Sequence, residues 1–247
     1  MILELDCGNS LIKWRIADNT MQIVKRGVSQ NITQLLAELD KQQLTIHFCR
    51  LVSVRSEQET EHLLWLLKER YPLVKQALSS AEYLGVKNGY ANYTRLGPDR
   101  WAAIVAAYHR NSQATLILGF GTAIISDLVN SQGQHLGGFI APGLLLMRQQ
   151  LLSNTGRIHY HQDIAKNILA PVTHIGSSTE EAVNGGCHLM IQGFISQQLL
   201  LAKKYLGENF VINITGGDAT HFSIANAHYL PDLVFDGLAL LCPMVDN

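Results

Sequence analysis

Apolar and polar positions change their period several times along the chain, and the first change sets the pattern. Apolar residues lead from Ile2 up to Asp6, Gly8 permits a tight turn, and alternation from Leu11 to Ile16 carries the chain back. This predicts a strand, a bend and a returning strand. Met21 to Val28 reads as a third strand, followed by a helix capped by Asn31 or Thr33 that turns Leu35, Leu36 and Leu39 inward. Ile46 to Val54 is apolar enough for an interior strand. Glu57 to Tyr71 places Leu63, Leu67 and Tyr71 on one helical face with Leu64 beside them, ends before Pro72, and takes Trp65 into the packing.

Asn88 to Tyr93 is turn chemistry with two aromatics, and Leu96-Gly97-Pro98-Asp99-Arg100-Trp101 then opens an alanine-rich helix to Tyr108. Near the middle the first construction recurs. Thr115 to Leu118 is a strand, Gly119 to Ala123 a bend, and Ile124 to Val129 a second strand. Gln134 to Ile140 returns through Gly137-Gly138, where the paired glycines serve either a close approach to substrate or close packing. Pro142-Gly143 starts a helix carrying Leu144, Met147 and Leu151. Thr155 to Thr173, with His159 and His161, reads as a surface loop. Ser178 and Glu181 form a capping box before a long helix that buries Val183, Cys187, Met190, Ile191 and Phe194, and Val211 to Thr215 is a strand ending in Gly216-Gly217-Asp218.

Composition narrows what such a chain does. With 247 residues and 47% hydrophobic content it can bury one large core or two modest ones, and the repeated hairpin favours two. A formal charge of -1, from 19 basic and 20 acidic residues, argues against nucleic acid or an anionic membrane as partner and for a small ligand. Cys7, Cys49, Cys187 and Cys242 lie far apart without a CxxC pair, so neither a zinc site nor a disulfide framework is expected. No run approaches the roughly 18 apolar residues of a membrane span, and Asp6 falls too early for a signal peptide, which fits a cytoplasmic protein.

The candidate chemistry lies in the bends and at one helix start. Asp6, Cys7, Gly8, Asn9 and Ser10 offer backbone N-H groups, an amide and a hydroxyl, and Lys13 adds a positive charge, a set able to hold nucleotide phosphates. An ordinary hairpin turn would use the same residue types. Pro98 suits the first helical position, and Asp99 in the first turn is stabilised by the helix dipole whether or not it does chemistry. Arg100 beside it supplies what recognising a carboxylate substrate and deprotonating its hydroxyl requires. No G-x-x-x-x-G-K-[ST] loop is present, which excludes the P-loop way of holding ATP.

Taken together, DCGNSLIK, LGPDRW, GTA, GGFIAPG and TGGDA, in that order over essentially the whole chain, resemble the type III pantothenate kinases of the actin-like superfamily. The resemblance implies an α/β fold of two duplicated actin-like (ribonuclease H-like) domains, residues 1–112 and 113–247, with a nucleotide cleft between them. It implies ATP with magnesium, held by Asp6, Cys7, Gly8, Asn9, Ser10, Lys13, Gly121 and Thr122, with Asp6 near the metal. Pantothenate falls to Tyr90, Gly97, Pro98, Asp99, Arg100 and Thr179, with Asp99 as base and 4′-phosphopantothenate as product. A homodimer is implied as well. Bvg accessory factors, regulatory proteins that share this pattern, are the alternative.

Two positions depart from the family. Where many members carry an Asp ligand for potassium or ammonium, this chain has Gly119, and a hydroxyl common three residues after the Thr is replaced by Ile125. Glycine has no side-chain oxygen to offer a cation. Asp127 is the nearby carboxylate, but it is not expected to take the missing ligand's place.

Overall fold

In a computed structural model the described residues are 1–155, 158 and 174–244. They fall into two compact units, Met1–Asn111 with the stretch from Asp232 onward, and Ser112–Pro231. The C-terminal segment, which the sequence pattern left with the second half, thus packs with the first.

The first unit is built on five strands: β1 (Ile2–Cys7), β2 (Ile12–Ala17), β3 (Ile23–Ser29), β4 (Phe48–Ser53) and β5 (Val74–Gln76). Their order is β3-β2-β1-β4-β5, with β1-β2 and β2-β3 antiparallel and β1-β4 and β4-β5 parallel. Helices α1 (Ile32–Gln42) and α2 (Glu57–Arg70) cover the face bearing Leu3, Leu5, Cys7, Ile12, Trp14 and Leu51. Each starts on a side-chain cap, since Asn31 accepts from the Gln34 N-H, and Ser56 and Glu59 form a reciprocal capping box absent from the sequence expectations. Trp65, expected in the packing, is 58% exposed and stacks on His62, because its position on α2 faces solvent between Leu63 and Leu67.

The opposite face holds charge. Glu4 is fully buried and paired with both Arg15 and Arg50, Arg15 continues to Asp232, and Arg50 donates to the Ala239 and Cys242 carbonyls at 3.2 and 3.1 Å. Those carbonyls end α6 (Leu233–Leu241), so the guanidinium satisfies the negative end of the helix dipole. α6 also lies against α3 (Pro98–Asn111), where a Cβ on Gly237 would fall 1.9 Å from the Ala102 carbonyl oxygen. Only glycine allows that approach.

The second unit repeats the design. Strands β8 (Thr115–Phe120), β9 (Ala123–Val129), β10 (His135–Pro142), β11 (Val211–Thr215) and β12 (Ala227–Tyr229) are ordered β10-β9-β8-β11-β12. Again the two hairpin pairings are antiparallel and the next two parallel. Within the first unit, β6 (Glu82–Tyr83) and β7 (Val86–Lys87) form a small separate hairpin. Helices α4 (Leu144–Asn154) and α5 (Thr179–Leu206) bury Leu144, Val183, Cys187, Ile191 and Ile195 against Leu116, Leu118, Phe120 and Ile124. Met190, expected inside, is 66% exposed. At the start of α5, Ser178 Oγ accepts from the Glu181 N-H, whereas the Glu181 carboxylate takes the Ser177 N-H and hydroxyl, one residue earlier than a reciprocal box requires. The loop with His159 and His161 lies outside the described residues.

Candidate active site

In the first unit, the register pairs Asp6 with Lys13 and Cys7 with Ile12, leaving Gly8 to Leu11 as the bend. Asn9, Ser10 and Leu11 are exposed, and a Cβ on Gly8 would sit 3.2 Å from the Leu11 carbonyl oxygen. Cys7 points the other way. Its thiol is buried in the core and its pKa is pushed up by that burial, so it offers the bend only backbone.

Asp6 is half-buried, and desolvation raises its pKa to about 6, opposed by the Lys13 charge and reinforced by the negative charge of Asp99. Two predicted site residues far apart in sequence therefore share one electrostatic neighbourhood. Between them runs Val54, whose N-H donates to the Cys7 carbonyl at 3.1 Å and whose Cγ1 lies 3.9 Å from where a Gly97 Cβ would be.

Asp99 sits in the first turn of α3. Its Oδ1 accepts the Arg100 N-H at 2.8 Å, and a Cβ on Gly97 would come within 2.7 Å of that same oxygen, so glycine leaves the carboxylate its place. Arg100 is buried, donates to the Tyr90 hydroxyl at 2.9 Å, and has its guanidinium 5.7 Å from the Tyr90 ring centre. The Tyr90 N-H is fixed by Asn88 Oδ1 at 3.0 Å. Gly97, Asp99, Arg100 and Tyr90 form one contact set, and Pro98 is the first residue of the helix that carries it.

In the second unit the bend between β8 and β9 is Gly121-Thr122, and both residues are exposed. Bare backbone crowds it. Gly143 donates its N-H to the Thr122 carbonyl at 2.9 Å, and a Cβ there would fall 2.1 Å from the Gly121 oxygen. Gly216, at φ +99°, brings β11 so near that a Cβ would meet the Phe120 oxygen at 2.1 Å. The motif glycines at 143 and 216 thus serve this bend, a role that sequence spacing alone did not show. Gly138, by contrast, packs on the Ser126 carbonyl, with a would-be Cβ at 1.8 Å, which decides for packing at that glycine, whereas Gly137 has nothing within 4 Å of a would-be Cβ and sits at φ +106°. Thr179 is exposed at the first position of α5.

The expected monovalent cation position does not fit a cation. Gly119 pairs directly with Ile125 across the ladder, and Ile125 Cγ1 lies 2.7 Å from where a Gly119 Cβ would be. Hydrocarbon stands where side-chain oxygens are required. Asp127 is fully buried with its Oδ1 2.9 Å from His135 Nε2, so it is already committed. Among the described residues no group of three or more His, Cys, Asp or Glu gathers to hold a metal.

Duplicated sheets of this topology, each with a bend at the end of its first strand, define an actin-like α/β fold of the kind used by ATP-dependent kinases. Solved structures agree at the level of fold. A conserved protein assigned to the Baf family of transcriptional activators, from Campylobacter jejuni, superposes with a TM-score of 0.61 at 21% identity, covering 96% of this chain and 94% of that one. A protein described as a 2-dehydro-3-deoxygalactonokinase, from Sinorhizobium meliloti, gives 0.53 at 12% identity, covering 97% of each. Sequence is more specific. The family model for type III pantothenate kinase matches residues 2–200. Type III pantothenate kinases of Pseudomonas aeruginosa and Azotobacter vinelandii are 48% and 47% identical over 248 and 249 residues, covering 99% of this chain and 100% and 99% of theirs. The chain belongs to the type III pantothenate kinase family.

Proposed function

We propose that the chain transfers the terminal phosphoryl group of ATP to the primary hydroxyl of pantothenate, giving 4′-phosphopantothenate, the first step toward coenzyme A. The observation that carries the assignment of roles is the meeting of Asp6 and Asp99 charge beside a buried Arg100 clamped to Tyr90. Asp99 takes the proton of the attacking hydroxyl, and its place at the start of α3, where it accepts the Arg100 N-H, orients the carboxylate. Arg100 with Tyr90 holds the pantothenate carboxylate, for which a guanidinium fork is suited. Pro98 and Gly97 set the geometry, and Thr179 offers a further hydroxyl to the substrate.

The Gly8–Leu11 bend with Asn9, Ser10 and Lys13, and the Gly121-Thr122 bend, hold the phosphates of ATP. In this reading Asp6 would hold magnesium, which when bound would neutralise charge on the phosphate oxygens. Asp6 fits that task because a desolvated carboxylate gains most from a cation. The chain's own contribution is positioning and charge neutralisation.

The protein works in the cytoplasm as a homodimer in this reading. Among the described residues no helix is long and apolar enough to cross a membrane, and the edge strand β10 exposes Phe139 and Ile140, one on each face of the sheet, an apolar edge for a second copy. Purified protein is expected to consume ATP only when pantothenate is present, read as coupled ADP release and by mass of the product. ATP consumption indifferent to pantothenate overturns the assignment, and sedimentation as a monomer removes the dimer.

A further inference from the structure

Arg55 lies two residues beyond the end of β4, at the same end of the first unit's sheet as the Gly8–Leu11 bend. Its charge reaches Cys7 at the foot of that bend, where it works against the rise in the thiol pKa. One guanidinium nitrogen points to the Gln30 carbonyl at 3.4 Å. Gln30 follows β3, and the sheet order is β3-β2-β1-β4, so a side chain from the end of β4 passes alongside the ends of β1 and β2 to reach it.

Arg55 and Gln30 each immediately precede an N-cap, Ser56 of α2 and Asn31 of α1. The guanidinium therefore lies between two helix N-termini, in a corner already favourable to negative charge.

Its present partners satisfy it poorly. The contacts to Glu59 and to Gln30 are both 3.4 Å, against about 2.7 to 2.9 Å for a good charge-assisted bond. Its Nε is buried and has no hydrogen-bond partner, although the side chain is only 12% exposed. A guanidinium acting purely as a strap between β3 and β4 would be expected to make short, direct bonds. An underused fork beside two helix starts and a polar bend suits a ligand with several anionic oxygens.

We infer that Arg55 is a phosphate-binding residue, which exchanges its long contacts to Glu59 and Gln30 for the terminal phosphate of ATP held at the Gly8–Leu11 bend. The inference rests on the kinase reading proposed for this site. Sensitivity to Arg55 then grows with the number of phosphates on the nucleotide. Pantothenate, assigned to the Tyr90–Arg100 set, is indifferent to it.

Calorimetric titration of ATP, ADP and AMP into the unaltered protein, Arg55→Gln and Arg55→Lys, together with KM for ATP and for pantothenate, tests this. Arg55→Gln is expected to weaken ATP about ten- to a hundredfold, as loss of a charge-assisted bond does, with AMP affinity and the KM for pantothenate unchanged. Equal losses for ATP, ADP and AMP, or no loss for ATP, overturn the inference. If Arg55→Gln does not fold, Arg55→Lys decides, since it keeps the charge and removes the fork. Weaker ATP with unchanged AMP supports the assignment, and unchanged ATP removes it. Failure of the kinase reading itself would appear in the unaltered protein, as ATP consumption that ignores pantothenate.

Discussion

The two hairpins have one topology and opposite chemistry. Two residues before the bend glycine, β1 carries Asp6 opposite Lys13, whereas β8 carries Gly119 opposite Ile125. In the first unit the ladder below the bend sets a half-buried carboxylate opposite a lysine, under the influence of Asp99; in the second it is a glycine covered by an aliphatic side chain. The first bend has ionisable groups in reach, and the second is surrounded by the bare backbone of Gly143 and Gly216. A duplicated scaffold has thus divided the labour. In the function proposed above, one copy supplies charge and proton transfer, the other close backbone and a hydroxyl.

The largest effect expected from that division is at Asp99. Asp99→Asn keeps the size of the side chain and its bond to the Arg100 N-H but cannot take a proton. General-base catalysis is worth about a hundred- to ten-thousandfold, while losing a favourable charge at a helix start costs about 0.3 to 1 kcal/mol. Turnover should fall by at least about a hundredfold, with ATP binding kept and the melting temperature little moved. Near-normal turnover in a folded Asp99→Asn protein would remove Asp99 as the base.

Lys13→Ala and Thr122→Ala compare the two bends directly. Removing the charged contact should cost about 1.5 to 3 kcal/mol, or ten- to a hundredfold in ATP affinity, and removing a neutral hydroxyl about 0.5 to 1.5 kcal/mol, or two- to tenfold. Calorimetry on both variants reads the ratio. Equal losses would mean that charge is not concentrated in the first unit.

Asp6 adds a stability effect of opposite sign to its functional one. Its pKa in the folded chain is about 6, raised from 3.8, so the folded state keeps a proton that the unfolded state has released. Stability therefore falls as pH rises from about 4 to about 6, and the deficit persists above that window. Asp6→Asn removes it, for a gain of up to about 3 kcal/mol by linkage, reduced because the side chain is partly exposed. Scanning calorimetry should find Asp6→Asn more stable than the unaltered protein at pH 8, by a margin that vanishes toward pH 4, while turnover collapses. A variant destabilised at pH 8 would show that the charged carboxylate is held by favourable contacts.

What could be read from the sequence follows physical range. Asp6, Gly8 and Lys13 announce themselves because a bend needs glycine and a phosphate site needs donors, all within a few residues. The Pro98-Asp99-Arg100 start is equally local. Glu4 with Arg15 and Arg50 was hidden, since burying a carboxylate between two guanidiniums depends on three strands and on α6, and β1 reads as an apolar strand around Glu4. The short α6 and its return to the first unit were hidden for the same reason, as was the role of Gly143, whose partners are carbonyls of the bend between β8 and β9. Trp65 and Met190 were misplaced because a hydrophobic residue next to a buried stripe looks like part of it until the helix is rotated into place.

The smallest expected effect is potassium dependence, where the comparison between Asp6–Lys13 and Gly119–Ile125 is sharpest. With Ile125 Cγ1 2.7 Å from the would-be Cβ of Gly119, an oxygen ligand cannot simply be added. Gly119→Asp alone should overpack the ladder, at about 1 to 3 kcal/mol, and gain little affinity for a cation. Gly119→Asp with Ile125→Ser removes the aliphatic cover and restores two oxygens on neighbouring strands, so the double variant is the one expected to acquire the dependence. Replacing potassium chloride with choline chloride at constant ionic strength should leave the unaltered protein's rate flat and lower that of the double variant. Thermal shift under the same exchange reads binding apart from turnover, and only the double variant should respond. A steep potassium requirement in the unaltered chain would mean that backbone or other side-chain oxygens complete a cation site despite Ile125, and the division between the two hairpins would then be one of position rather than of charge.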